Sequence, residues 1–96
     1  MAVNETTALS LVKARLNRLQ SDTSLDEYLR ARVTAAVQEL RNIGIDLNDS
    51  TEDLMLVVDF TVWEYQNRDN PGAMPDWLRL TRRERWLRTE AATDDS

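Results

Sequence analysis

Apolar residues recur every three or four positions in four stretches of this chain, the spacing that places them on one face of an α-helix. Polar or turn-forming residues separate these stretches. No segment long enough for a β-strand shows the alternation of apolar and polar residues that a half-buried strand has. The sequence therefore predicts an all-α fold, a small helical bundle of about four helices with a hydrophobic central third helix. The four predicted helices span residues 7–19, 24–43, 50–67 and 75–89.

The first two predicted helices each carry a single apolar stripe. The basic side chains of the first helix, Lys13 among them, are expected outside a stripe made of Leu9, Val12, Leu16 and Leu19. Ser24 and Glu27 have the spacing of a capping box, so we expect Ser24 to start the second helix. Gly44 stands where a left-handed residue ends a helix, and Ile45 is expected to pack back over the last turn.

The third predicted helix, from Ser50 to Asn67, is the most apolar part of the chain, and the other helices must pack around it. Ser50 is expected to cap its N-terminus by accepting a hydrogen bond from the backbone N–H of Asp53. Its apolar part contains only two charged residues, Asp59 and Glu64. We expect Asp59 to pair with an arginine, because a charge that is taken out of water needs a partner.

Apolar residues cover two opposite sides of this third helix. One side consists of Leu54, Val57, Val58, Thr61, Val62 and Tyr65. The other side consists of Leu56, Phe60 and Trp63, which we expect to meet a second subunit or another partner. The pattern leaves an alternative open, since the remaining helices of the same chain could cover both sides.

The fourth predicted helix interleaves apolar side chains with arginines, and Pro75 suits its first turn after a type II turn at Pro71 and Gly72. Its apolar residues are Trp77, Leu80, Trp86 and Leu87, and its arginines are Arg79, Arg82, Arg83, Arg85 and Arg88. Three interpretations are open: a solvated charged face, contacts to nucleic-acid phosphates, and docking on another protein. Docking is favoured because tryptophan and arginine are enriched at binding hot spots. The residues expected at that interface are Trp77, Arg79, Arg82, Arg83 and Trp86.

The composition disfavours several kinds of function. The 96 residues include neither histidine nor cysteine, so the usual zinc ligands and the usual neutral-pH base are missing. The acidic segment 46–53 partly matches a calcium loop, but the twelfth position of that loop would be Val57 instead of a glutamate. We therefore expect no enzyme activity, no cofactor and no bound metal. No stretch is long and apolar enough to span a membrane, and the start lacks the features of a signal peptide.

The charge is distributed unevenly along what we expect to be a single domain, 1–96, with flexible ends at 1–6 and 91–96. The net charge of −5 disfavours a general attraction to nucleic acid. Residues 76–88 nevertheless carry five arginines and two acidic residues, a local charge of +3 that leaves −8 on the rest of the chain. Such a bipolar distribution suits a protein that docks onto other proteins at distinct ends.

Three pieces of the sequence carry a family resemblance. They are the stretch from Asp53 to Tyr65, the triplet Asn67-Arg68-Asp69, and Met74-Pro75 followed by Trp77-Leu78-Arg79. Together with the residues around them, they make the segment 44–79 resemble the small head–tail connector (head-completion adaptor) proteins of long-tailed bacteriophages. The likeness extends over about residues 9–88. Because these motifs are packing and turn signatures, they point to a fold family and carry no active site.

The resemblance implies a structural, non-enzymatic role. It implies a ring of copies, dodecameric in the virion, which attaches beneath the portal protein once DNA is packaged. Such a ring extends the DNA channel without sequence-specific binding and presents a surface for stopper or tail-completion proteins. The chain would then be a virion protein of the head–tail interface, assembled in the host cytoplasm without a membrane. The alternative is a small helical nucleic-acid-binding regulator that uses the arginine-rich fourth helix.

Overall fold

Four α-helices make up the fold, as the sequence predicts. The structure, a computed structural model, describes residues 3–69 and 72–94, with side chains up to residue 91. The helices are α1 (Glu5–Arg15), α2 (Asp26–Asn42), α3 (Thr51–Gln66) and α4 (Asp76–Asp94), and the described residues contain no strand. The predicted type II turn includes Pro71, which lies outside the described residues.

Helix α3 is the centre of the bundle, because α1, α2 and α4 all pack against it. Helices α1 and α2 also contact each other, whereas α4 packs against no described helix other than α3. The largest fully buried apolar side chains come from α2, α3, α4 and the loop after α2: Leu29, Leu40, Ile45, Leu56 and Leu78. The fold is thus a three-helix core with α4 laid along one side of its central helix.

Helix α1 is displaced towards the N-terminus relative to the prediction. Asn4 caps it by accepting from the backbone N–H of Thr7, Val3 is buried, and the helix begins at Glu5 instead of at residue 7. Asn17, with φ of 60°, ends the helix in the left-handed conformation, which asparagine tolerates better than most residues. The early ending leaves Leu19 outside the helix and 74% exposed, so its predicted place in the apolar stripe is also wrong.

Lys13 is buried, although the sequence places it outside the apolar stripe of α1. Its ammonium lies 2.9 Å from a carboxylate oxygen of Asp26 and donates to the backbone carbonyl of Gln20. Asp26 is the first residue of α2, where the helix dipole favours a negative charge. The correction has a clear physical reason, since a lysine can be buried when an acid and a carbonyl take the place of water.

The predicted capping box at the start of α2 does not form. Leu25 occupies the N-cap position, and no side chain caps the helix. Ser24 instead donates from its hydroxyl and its backbone N–H to the carboxylate of Asp22, two residues earlier. These hydrogen bonds lower the pKa of Asp22, with the hydroxyl bond contributing most. Ser24 therefore forms its hydrogen bonds within a local turn instead of capping the helix.

The end of α2 follows the prediction closely. Gly44 has φ of 104°, its N–H donates to the carbonyl of Arg41, and the N–H of Ile45 donates to the carbonyl of Leu40. This pair of hydrogen bonds is the Schellman motif, and Ile45 is buried under it. Gly44 also makes a packing contact that the sequence does not indicate, because the indole of Trp86 from α4 lies over it.

Helix α4 begins as predicted and ends later. The carbonyl of Pro75 accepts from the backbone N–H groups of Leu78 and Arg79, which places the proline at the start of the helix. The helix continues to Asp94, five residues beyond its predicted end at residue 89. The last two residues of the expected flexible end 91–96 lie outside the described part.

We expect Gly44→Ala to destabilise the protein by at least about 1–2 kcal/mol, the ordinary cost of a left-handed conformation for a residue with a Cβ. The added Cβ would also lie 3.0 Å from the indole nitrogen of Trp86, so α4 would have to shift. Urea unfolding followed by circular dichroism measures the loss. The matched control is Gly72→Ala, whose Cβ would meet nothing nearer than 3.7 Å. Equal stability of the two variants would contradict this account.

Candidate protein-docking surface

The second apolar stripe of α3 is covered by the chain itself. Leu56 is 2% exposed and Phe60 is 4% exposed, while Trp63 is half-buried and packs against Phe60 with ring centroids 6.1 Å apart. The expectation that Leu56 and Phe60 face a partner is therefore corrected, because covered side chains present no surface. Both apolar sides of α3 contribute to one core, which is the alternative that the sequence pattern left open.

A buried ion pair fixes α4 onto α3. The guanidinium of Arg85 donates to both carboxylate oxygens of Asp53 at 2.7 and 3.1 Å, and Asp53 is 1% exposed. Arg85 also donates to the hydroxyl of Thr89 and to the backbone carbonyl of Asp46, while the backbone N–H of Asn48 donates to Asp53. The hydrogen bonds to Asp53 raise the pKa of Arg85 above its ordinary value. The network therefore joins α3, α4 and the connecting segment before α3.

Removing the cation of this pair should be costly, because it leaves a buried carboxylate without compensation. We expect Arg85→Leu to lower the free energy of unfolding by about 3–5 kcal/mol. The control is Arg88→Leu, which breaks the exposed pair between Arg88 and Glu52 and should cost no more than about 1 kcal/mol. Adding Asp53→Asn to Arg85→Leu should recover part of the loss, as no unpaired charge then stays buried. Equal losses for the Arg85 and Arg88 variants in urea unfolding would show that the buried pair contributes no more to the free energy of unfolding than the exposed pair does.

The outer side of α4 carries large exposed apolar residues. Trp77 is 53% exposed, Leu80 is 51% exposed and Leu87 is 45% exposed. Leu80 and Leu87 are seven residues apart and so lie two turns apart on the same side of the helix. Leu78 and Arg85, also seven residues apart, are the buried residues on the opposite side. The fold therefore uses one side of α4 and leaves apolar surface on the other.

A groove separates α4 from the C-terminal end of α2. Its cavity of about 560 Å³ is bounded by three apolar residues, Ile43, Leu80 and Trp86, and by Arg79, Arg82 and Arg83. A second cavity of about 330 Å³ shares Ile43 and Arg82 with the first and reaches Leu40 and Phe60 at the core. We call the two together the α2–α4 groove. It brings together four of the predicted interface residues (Arg79, Arg82, Arg83 and Trp86), whereas Trp77 lies outside it.

The arginines of α4 differ in what they already bind. Arg79 pairs with Asp76 at 2.9 Å one turn earlier, Arg88 pairs with Glu52, and Arg85 is part of the buried network. Neither Arg82 nor Arg83 makes an ion pair or a hydrogen bond with any residue in the described ranges. These two guanidinium groups at the α2–α4 groove are the ones left to pair with something else.

The predicted partner of Asp59 is found on α1. Arg15 binds the Asp59 carboxylate, which ties α1 to the central helix and confirms the expectation that this acid pairs with an arginine. The acidic segment 46–53 is occupied by contacts within the chain, since its last residue binds Arg85. Among the described residues, no group of three or more metal-ligating side chains is close enough to hold an ion. None of the described helices is long and apolar enough to cross a membrane.

A carboxyl pair, Glu39 and Glu64, lies between α2 and α3, and its Glu39 also lines the second cavity of the α2–α4 groove. The pKa of Glu64 is raised to about 7, mainly by burial and then by the charge and hydrogen bond of Glu39, while Arg32 acts in the opposite direction. Near neutral pH Glu64 therefore takes up a proton far more readily than an exposed glutamate does. The sequence shows no signal for this pair, because the two glutamates are 25 positions apart and neither stands in a motif.

The stability of the protein should depend on pH through Glu64. In the unfolded chain this group titrates near 4.5, so between about pH 4.5 and 7 the folded protein holds a proton that the unfolded chain releases. The stabilisation from that proton is present at low pH and is lost as the pH rises through about 7. We expect Glu64→Gln to flatten this part of the pH dependence, measured as urea unfolding from about pH 5 to about pH 8. Glu84→Gln, at an exposed residue of α4, is the control; if both variants follow the wild-type curve, Glu64 has no such influence.

The chain was compared with protein-family models, with curated proteins and with solved structures, and none of them matches it. The candidate site therefore depends on the geometry of the α4 surface and on the sequence resemblance described above.

Proposed function

We propose that this protein is a structural assembly subunit, a bacteriophage head–tail connector that forms a ring beneath the portal protein. In this role it extends the DNA channel and presents a docking surface to stopper or tail-completion proteins. The proposal combines the resemblance of segment 44–79 to that family with one structural observation. That observation is the outer side of α4, where exposed apolar residues and arginines without a partner lie together.

The exposed apolar residues support docking on a protein. Three large side chains on one 19-residue helix are each about half exposed, although the other side of the helix already provides its contacts to the bundle. Contiguous exposed apolar surface bordered by charges is characteristic of protein-binding sites. Tryptophan and arginine, both present here, are the residues that most often dominate the energy of such sites.

The charge distribution supports a partner that is a protein and not DNA. The arginines of α4 alternate with Asp76, Glu84 and Glu90, and the whole chain has a net charge of −5. Three of these arginines are neutralised within the chain by Asp76, Asp53 and Glu52. A subunit that surrounds moving DNA gains nothing from strong phosphate binding, which would oppose sliding. The nucleic-acid-binding regulator therefore stays the second candidate, favoured only by Arg82 and Arg83.

Charge reversal at the two unpaired arginines should separate docking from folding. We expect the variant with Arg82→Glu and Arg83→Glu to co-sediment with DNA-filled, tailless heads at least about tenfold more weakly than wild type, since like charges then face an acidic partner. Its circular dichroism spectrum should be unchanged, because neither residue has a partner within the described chain. The control is Arg30→Glu with Arg41→Glu, at exposed residues of α2 outside the α2–α4 groove. Binding equal to wild type would leave the arginines as a solvated face.

The same protein should not shift the electrophoretic mobility of duplex DNA at low salt. A shift that weakens steeply as salt is added would reveal phosphate contacts and would favour the nucleic-acid-binding regulator. Wild type and the Arg82/Arg83 charge-reversal variant are compared on the same gel, since only a shift that the variant loses is attributable to α4.

A further inference from the structure

We propose that the α2–α4 groove binds an acidic segment of a partner protein, with an apolar side chain of that segment inserted between Ile43, Leu80 and Trp86. Carboxylates on either side of the inserted residue would pair with Arg82 and Arg83. This inference deepens the proposed function, because it names the chemistry of the segment that the docking surface receives.

The apolar part of the argument comes from the walls of the groove. Ile43 is 44% exposed and Leu80 is 51% exposed, and they face the half-buried indole of Trp86 across a cavity of about 560 Å³. Pockets of about 300–1,000 Å³ accommodate drug-sized groups, so there is room for one large side chain and part of its backbone. Covering these exposed walls with an apolar residue is favourable in proportion to the area removed from water.

The acidic character of the segment follows from the rim. Arg79, Arg82 and Arg83 line the larger cavity without a carboxylate among its lining residues, whereas the second cavity has one, Glu39. Arg79 has Asp76 as a partner, but Arg82 and Arg83 have none among the described residues. A guanidinium can bind a carboxylate through two parallel hydrogen bonds, which gives orientation as well as attraction. A segment with acids beside its apolar residue would supply both missing kinds of contact.

Competing occupants fit the groove less well. A nucleic-acid backbone would meet the arginines but would leave Ile43 and Leu80 without an apolar contact. A purely apolar peptide would leave the two guanidinium groups unpaired. Only a segment that is both acidic and apolar matches the walls and the rim together.

The test is an NMR titration of the full chain, labelled with ¹⁵N, with synthetic peptides about three helical turns long. The first probe carries leucines flanked by glutamates, the second has lysine for each glutamate, and the third has alanine for each leucine. Only the first probe should shift the indole N–H signal of Trp86 and the amide signals of Ile43 and Leu80. The indole of Trp77, which lies outside the groove, is the internal reference.

Substitutions in the groove should weaken binding of the first probe without disturbing the fold, because the chosen side chains are exposed or unpaired. We expect a loss of about tenfold or more for Ile43→Glu and Leu80→Glu, and of a few-fold for Arg82→Gln or Arg83→Gln. The matched controls are Leu19→Glu and Arg30→Gln, which place the same changes at exposed residues outside the groove and should leave binding unchanged.

Several results would overturn the inference. The first is that the acidic leucine probe does not bind, and the second is that the lysine probe binds equally well. The third is that a short DNA duplex displaces the probe and shifts the same signals. The fourth is that the protein self-associates through Leu80. Failure of the groove inference can also be distinguished from failure of the proposed connector role. If heads bind while the probe does not, the groove inference fails and the connector role stands. If the probe binds while heads do not, the connector role fails and the groove inference stands.

Discussion

The buried pair of Asp53 and Arg85 is the interaction on which the arrangement of the whole molecule depends. Helix α4 packs on α3 alone among the described helices, so it has few contacts to keep it in place. The carboxylate of Asp53 is closed in by Arg85 and by the backbone of Asn48, and Arg85 in turn reaches the carbonyl of Asp46. A buried charge is tolerated only when such partners replace water, so the two helices are held in one register. The register in turn determines which residues of α4 face outward.

Besides its packing on α3, α4 contacts the end of α2 through Trp86. The position of this contact is determined by where α2 ends. Gly44 ends α2 in a left-handed conformation and leaves open space above its Cα, which the indole of Trp86 fills. Asn17 ends α1 in the same way, with the N–H of Arg18 bonded to the carbonyl of Lys13. In both cases a residue that accepts positive φ reverses the chain, and the next helix starts from a defined position. The α2–α4 groove exists because Gly44 stops α2 beside α4 and not further along it.

Local chemistry explains what could be predicted from the sequence and what could not. The four helices, the cap at Ser50 and the Gly44 ending depend on neighbouring residues, and all were predicted. The partners of Asp53 and Lys13 lie far along the chain or in another helix, and periodicity carries no information about such pairs. The assignment of Leu56 and Phe60 to a partner surface failed for a related reason, since a pattern shows that a side is apolar but not which helix covers it. The sequence predicts Arg82, Arg83 and Trp86 as interface residues, whereas it indicates Ile43, the opposite wall of the groove, only as the end of the second helix.

The two sides of α4 are best explained by two different constraints. Leu78 and Arg85 face α3, and together with Trp86 they account for the attachment of the helix. Leu80, Leu87 and Trp77 add nothing comparable to that attachment, because each is about half exposed. A solvated helix needs no tryptophan or leucine on its outer side, and such residues raise the risk of aggregation. Placed beside guanidinium groups that have no partner within the described chain, they form a surface that folding alone does not require and that an acidic, apolar partner would complete.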